Sequence, residues 1–217
     1  MRRPTDKRRV AILISGRGSN MAALIAAAAD PASRVEIALV LSNNPDAAGL
    51  AIAKAAAIAT AVVDHRAFPR DRPGHEAAID AVLGNAGIEI ICLAGYLRLL
   101  TPLLVGRWAG RMLNIHPSLL PEFPGLNTHA RALAAGVKLH GCTVHLVTDA
   151  MDAGPILAQA AVPVLAGDTE ATLAARVLAQ EHRIYPAALM QLARQLPWAE
   201  PAGEAVFHPL PAGAALQ

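Results

Sequence analysis

No stretch of this chain is apolar for long enough to cross a bilayer. The longest candidates, Val10–Ser15 and Ile88–Gly95, are of strand length and run into glycine, short of the roughly 18–20 residues that a span needs. Aromatic residues make up 3% of the sequence and the formal net charge is +2. A nucleic-acid surface would call for clustered Lys and Arg with stacking rings, so that class of partner is not expected. There are two cysteines, Cys92 and Cys142, each alone inside an apolar run. They read as buried reduced thiols of a cytoplasmic protein, not as a disulfide, metal or redox pair. The eight histidines lack metal-ligand spacing such as His-Glu-x-x-His, so no metal is expected. The basic start, Met1–Arg9, could pass for the first part of a signal peptide. The apolar segment behind it is short, has no small-residue cleavage site and runs directly into Gly16-Arg17-Gly18. Residues 1–9 are therefore expected to be a frayed basic tail.

What is present is a chain of 217 residues, 54% hydrophobic with a positive mean hydropathy, much of it alanine in helical stretches. That length suits one domain with a real core. Strand-like runs at Val10–Ile14, Val35–Leu41, Ala61–Val63 and Ile88–Leu93 alternate with helical stretches at Met21–Ala29, Ala47–Ala57 and Glu76–Gly84. Continuous apolar strands in a βαβα rhythm predict a single-domain α/β fold, a mostly parallel twisted sheet with helices on both faces and a Rossmann-like N-terminal half. The second half is less regular. Met112–Ile115 reads as a short strand, Thr128–Gly136 as a helix, Cys142–Val147 as a half-exposed strand and Ile156–Val164 as another. Asp168-Thr169 caps a long amphipathic helix to about Gln195, which Pro186 should kink or split. The domain is placed at residues 10–195, with a loosely held Pro/Gly/Ala-rich tail over 196–217.

Ser15-Gly16-Arg17-Gly18-Ser19-Asn20 follows the first strand and opens the first helix. Glycines let the backbone approach a ligand, and a helix N-terminus offers free N–H groups to an anion. The third glycine of a dinucleotide fingerprint is missing, because position 21 is Met, and no Gly-Lys-Ser/Thr follows. The loop thus reads as a cradle for a phosphomonoester, or more plainly as a turn that caps the helix.

Asn114-Ile115-His116-Pro117 and, further along, Asp152-Ala153-Gly154-Pro155 supply an amide, an imidazole and a carboxylate. Side chains at i and i+2 of an extended segment face the same way, so Asn114 and His116 should converge on one reacting atom. Asn can donate to a developing oxyanion, His can carry a proton, and Asp can pair with the imidazole. None of the three is a strong covalent nucleophile, which favours direct transfer between two bound substrates. A structural turn is the alternative reading of the same residues.

Six ordered blocks extend this reading: Gly16–Asn20, Leu93–Leu100, Asn114–Pro121, His140–His145, Asp149–Pro155 and Gln180–Pro186. In order and spacing they resemble the phosphoribosylglycinamide formyltransferases of purine synthesis, over about residues 9–190. That resemblance implies a formyltransferase fold and transfer of the formyl group of 10-formyltetrahydrofolate, as co-substrate, to the amine of 5'-phosphoribosylglycinamide through a tetrahedral intermediate. It implies Asn114, His116 and Asp152 as catalytic residues. Gly18, Ser19, Asn20 and Glu181 would hold the ribonucleotide. Leu97, Arg98, Leu99 and Leu100, with Asn114, Asp152 and Arg72 or its neighbour Arg70, would hold the folate. His129 and His145 are expected nearby in supporting roles.

Two positions depart from the family pattern: Glu122, where some relatives are basic, and Ala153, in place of a common glycine. The partners implied are small molecules only, with no nucleic acid and no membrane, and the chain would act as a monomer or homodimer. The competing readings are a 10-formyltetrahydrofolate hydrolase and a non-catalytic folate- or nucleotide-binding module.

Overall fold

The computed structural model describes residues 7–196 and the backbone of 206–208. Its centre is an eight-stranded sheet in the order β3-β2-β1-β4-β5-β6-β7-β8. The strands are β1 (Arg8–Ile14), β2 (Val35–Ser42), β3 (Thr60–Val62), β4 (Ile90–Leu93), β5 (Met112–His116), β6 (Leu139–Leu146), β7 (Ile156–Pro163) and β8 (Val206–His208). The pairings among β1 to β5 are all parallel, β5-β6 and β6-β7 are antiparallel, and β8 is parallel to β7. The expected mostly parallel sheet is present.

Alternation along the central strands sorts the core into two layers. Val10, Ile12 and Ile14 of β1 join one cluster with Ile90 and Cys92 of β4, while Ala11 and Leu13 join the other with Ile91 and Leu93. Helices α1 (Ser19–Ala28), α2 (Gly49–Ala55) and α6 (Glu170–Gln195) cover the first face. Helices α3 (Arg72–Asn85) and α4 (Pro102–Arg107) cover the second. Helix α5 (Thr128–Ala135) packs against α6. Burial on both faces is why these strands carry continuous apolar runs. Tyr185, fully buried in α6, donates from its hydroxyl to the carbonyls of Leu93 (3.0 Å) and Leu113 (3.3 Å), pinning that helix to the ends of β4 and β5.

Several local expectations are corrected. Arg8 and Arg9 are not part of a frayed tail: they open β1, where Arg8 pairs with Glu89 at 2.6 Å and Arg9 with Glu36 at 3.2 Å. The rest of that tail, residues 1–6, lies outside the described residues. Pro186 does not split α6, which runs unbroken from Glu170 to Gln195. Its flanks, Ile184, Tyr185, Ala188 and Leu189, are all buried, and that packing outweighs the lost backbone bond. The strand expected to be half-exposed, Cys142–Val147, falls on β6 as far as Leu146, and β6 is buried at every residue but Leu139; Val147, just beyond it, is half-buried. One face of β6 meets α6, and the chain after β5 folds over Thr143, whose hydroxyl donates to Ser118 O at 2.7 Å and accepts from Leu120 N at 3.0 Å. Most of the C-terminal tail is likewise outside the described residues, but Val206–His208 forms an edge strand on β7. No helix among the described residues is long and apolar enough to cross a membrane.

The sheet order reverses between β1 and β4, because the chain leaves β1 for β2 on one side and returns to β4 on the other. A crevice opens outside the carboxyl ends of the strands at such a point, and α/β proteins bind ligands there. The loop after β1, the segment after β4 and the end of β5 all meet at it.

Candidate active site

Asn114 and His116 are the third and fifth residues of β5, so the pleat points both to the same side. Across the antiparallel ladder Asn114 lies opposite His145 and His116 opposite Thr143. Asp152 reaches in from the loop between β6 and β7 with φ 52, a left-handed conformation that few non-glycine residues adopt. Gly125 N donates to its Oδ2 at 2.8 Å. That carboxylate sits between two imidazoles, 3.5 Å from His116 Nδ1 and 3.8 Å from His145 Nε2. The three residues singled out from the sequence are brought together.

His145 does more than stand nearby. Its Nδ1 is 2.9 Å from the carbonyl of Leu146, and only a protonated Nδ1 can donate there. Nε2 is then left as an acceptor, and Asn114 Nδ2 donates to it at 3.2 Å. Burial lowers the pKa of His145 and keeps it neutral. A neutral imidazole in this tautomer fixes which end of the Asn114 amide faces β6, leaving one N–H free to point into the crevice. A β-bulge in the β6–β7 ladder at Val144/His145 accompanies this placement, as bulges do where a side chain must be re-aimed. His116 has a second partner as well: its Nε2 donates to the carbonyl of Phe123 at 3.1 Å. Phe123 has φ 52 and belongs to the loop that follows β5.

His129 and His140 form a neighbouring pair, with Nε2 of His140 3.2 Å from Nδ1 of His129 and ring centroids 5.2 Å apart. Burial lowers both pKa values, that of His140 to about 4. The pair ties α5 to β6, and its stability contribution has a definite sign. An unfolded histidine takes up a proton below pH of about 6.5, whereas folded His140 refuses it until pH of about 4. Stability should therefore be full above pH 6.5 and fall as pH drops toward 4, by at most about 3 kcal/mol from His140. Urea midpoints between pH 4 and 8 test this, and His140→Gln should flatten the profile.

The glycine loop lies beside the cluster. Gly18 caps α1 with φ 78, and no side chain caps the helix. The first N–H groups of α1 are thus free for an anion. Gly49 of α2 closes the loop from behind, with its N–H donating to Gly16 O at 3.0 Å. From α6, Glu181 accepts from Asn20 Nδ2 at 2.7 Å, and burial raises the Glu181 pKa. Asn20 Oδ1 is buried with no partner in the protein, as fits an atom that a ligand hydroxyl or N–H would satisfy. On the other flank, the segment after β4 leaves Leu97 and Leu99 strongly exposed, at 77% and 60%. Glu76 of α3 fixes its end by accepting from Thr101 N at 2.7 Å and Thr101 Oγ1 at 2.5 Å. Arg72, exposed, lies one helical turn before Glu76 on α3. Arg70 is exposed in the loop before it.

Residues 8–189 match the family model described as formyl transferase. The chain belongs to that family. It is 45% identical over 177 residues to the phosphoribosylglycinamide formyltransferase of Escherichia coli K12, covering 82% of this chain and 83% of that one. It is 51% identical over 187 residues to the human trifunctional purine biosynthetic protein adenosine-3, covering 86% of this chain and 18% of that protein. The chain thus spans between 14% and 19% of the length of the trifunctional relatives it matches. Among solved structures, phosphoribosylglycinamide formyltransferase from Brucella melitensis superposes with a TM-score of 0.83 at 56% identity, covering 92% of this chain and 98% of that one. The fold is that of a formyl transferase throughout its single α/β unit.

Within this formyl transferase, sequence reasoning gave His145 only a supporting role and missed the Phe123 carbonyl. The i, i+2 pattern could not reveal His145, because its part depends on the β5–β6 register. A signal was present all the same: His145 falls at the end of a strand-like run just before the Asp152 loop. No group of His, Cys, Asp or Glu among the described residues is arranged to hold a metal ion.

Proposed function

We propose that this formyl transferase moves the formyl group of 10-formyltetrahydrofolate to the amine of 5'-phosphoribosylglycinamide, a step of de novo purine synthesis, in the cytoplasm. Residues 10–195 would carry the activity. The observation that carries the reading is the position of the Asn114–His116–Asp152 cluster between two binding elements at the switch point. On one side is an uncapped helix N-terminus with Asn20 and Glu181, and on the other the segment Leu97–Leu100 with Leu97 and Leu99 exposed. The first suits a phosphate with a hydroxylated or amino-bearing body. The second offers the exposed side chains of Leu97 and Leu99 to a flat heterocycle, and Arg72 or Arg70 supplies a cation for an acidic tail.

The mechanism follows from these groups. The neutral amine attacks the formyl carbon, and negative charge builds on the formyl oxygen. The free N–H of Asn114 donates to that oxygen, a role worth about 2.7–4 kcal/mol where one such donor is removed. His116, held against Asp152, stands on the same side of β5 as Asn114 and lines the position of that oxygen. The amine proton passes through water to the departing nitrogen of the folate. Holding amine and formyl carbon in contact supplies much of the remaining acceleration.

The phosphate loop gives a separate test. At Gly18, with φ +78, an added Cβ would lie 2.9 Å from Met21 Cε and 3.1 Å from Gly49 Cα. Gly18→Ala should raise the KM for phosphoribosylglycinamide at least about tenfold, leave that for the folate unchanged, and cost roughly 1–2 kcal/mol of stability from the left-handed backbone. The function itself is tested by incubating the purified chain with both substrates and quantifying products by mass spectrometry. Formylated acceptor equal in amount to tetrahydrofolate released supports the transfer; free formate in its place refutes it.

A further inference from the structure

Ser15 stands at the switch point, and its hydroxyl is fully used by protein partners. It donates to Asn43 Oδ1 at 2.6 Å and accepts from Leu97 N at 2.9 Å. The Ser15 main-chain N–H donates to Gly95 O at 3.1 Å, so two bonds join the end of β1 to the segment after β4. Asn43 is buried, 4% exposed, and its carbonyl accepts from His65 N at 3.1 Å, with His65 Nδ1 2.7 Å away. The next residue, Gly16, is fixed by the N–H of Gly49. Ser15 therefore joins the carboxyl ends of β1, β2 and β4 at the floor of the crevice.

We propose that Ser15 is a positioning residue for the folate: its hydroxyl sets the Leu97–Leu100 backbone against the strand that carries the phosphate loop. A hydroxyl can donate and accept at one atom, which is what this junction requires. Alanine would leave the Leu97 N–H unpaired and the exposed segment free to shift. The inference rests on the formyl transfer reading above and concerns how its folate side is held.

The experiment begins with wild-type release of tetrahydrofolate in the presence of phosphoribosylglycinamide; without release, the functional reading itself fails. With release established, calorimetric Kd values for tetrahydrofolate and for phosphoribosylglycinamide are compared in wild type, Ser15→Ala, Ser15→Thr and Asn43→Ala. Ser15→Ala should raise the tetrahydrofolate Kd about fivefold to tenfold, as expected for one lost backbone-directed hydrogen bond, and leave the phosphoribosylglycinamide Kd within about twofold. Ser15→Thr, which keeps the hydroxyl, should restore the wild-type value. Asn43→Ala, which removes the acceptor that orients the hydroxyl, should move the tetrahydrofolate Kd in the same direction. A tetrahydrofolate Kd within about twofold of wild type in Ser15→Ala overturns the proposal. So does an equal rise in both Kd values with a lowered Tm, or an alanine effect that threonine leaves in place.

Discussion

Asn114→Ala is expected to lower kcat roughly 10²–10³-fold, with tetrahydrofolate and ribonucleotide affinities unchanged within a few-fold. The amide is the one uncharged donor at the centre of the cluster, and its orientation is set by neutral His145 through the 3.2 Å contact. Binding of substrate before reaction does not need a donor aimed at the tetrahedral oxygen, so the loss should fall on kcat and not on Kd. Asn114→Asp should be at least as damaging, because it places a negative charge where negative charge develops. Presteady-state turnover with both substrates saturating, alongside equilibrium binding, separates the two effects. Full kcat in Asn114→Ala would remove the oxyanion role.

Asp152→Asn should lower kcat by roughly 10²–10⁴-fold, in the range of a positioned acid–base group. Among the described residues, its carboxylate is the only acidic group within 4.0 Å of the imidazoles of His116 and His145. The variant isolates charge from shape. Asparagine tolerates the left-handed backbone at φ 52, and its carbonyl oxygen can keep the bond from Gly125 N. The fold should therefore survive, with Tm near that of wild type, while His116 loses its anionic partner. Activity close to wild type would show that the imidazole works without the carboxylate, and the account of His116 would have to be rebuilt on the Phe123 carbonyl alone.

The parts legible in the sequence are those governed by short-range pattern. Val10–Ile14, Val35–Leu41 and Ile88–Leu93 announce buried parallel strands because both faces of each are covered, and the sheet bears this out. Asn114 and His116 could be paired from the pleat alone. The glycine loop could be placed at the first strand's end. Long-range consequences were not legible. The charges of Arg8 and Arg9 look like a solvated tail until Glu89 and Glu36, far along the chain, are brought beside them. Pro186 looks like a break until the buried residues around it are seen to hold one continuous helix. Helix α4 is only six residues long, too short for a periodicity to register. His145 and the Phe123 carbonyl enter the site through strand register and loop path, which no local spacing encodes. Ser15 is hidden for the same reason, since its three partners, Asn43, Gly95 and Leu97, follow two other strands, β2 and β4.

The most direct test of the account is the rate of tetrahydrofolate release by the wild-type chain at fixed 10-formyltetrahydrofolate and increasing phosphoribosylglycinamide. Release should be negligible without acceptor, with a rate that rises and saturates as the acceptor fills the Gly18–Asn20 loop. Release at the same rate with and without acceptor would mean transfer to water. That result would leave Asn114, His116 and Asp152 in place and contradict the assignment of the second substrate.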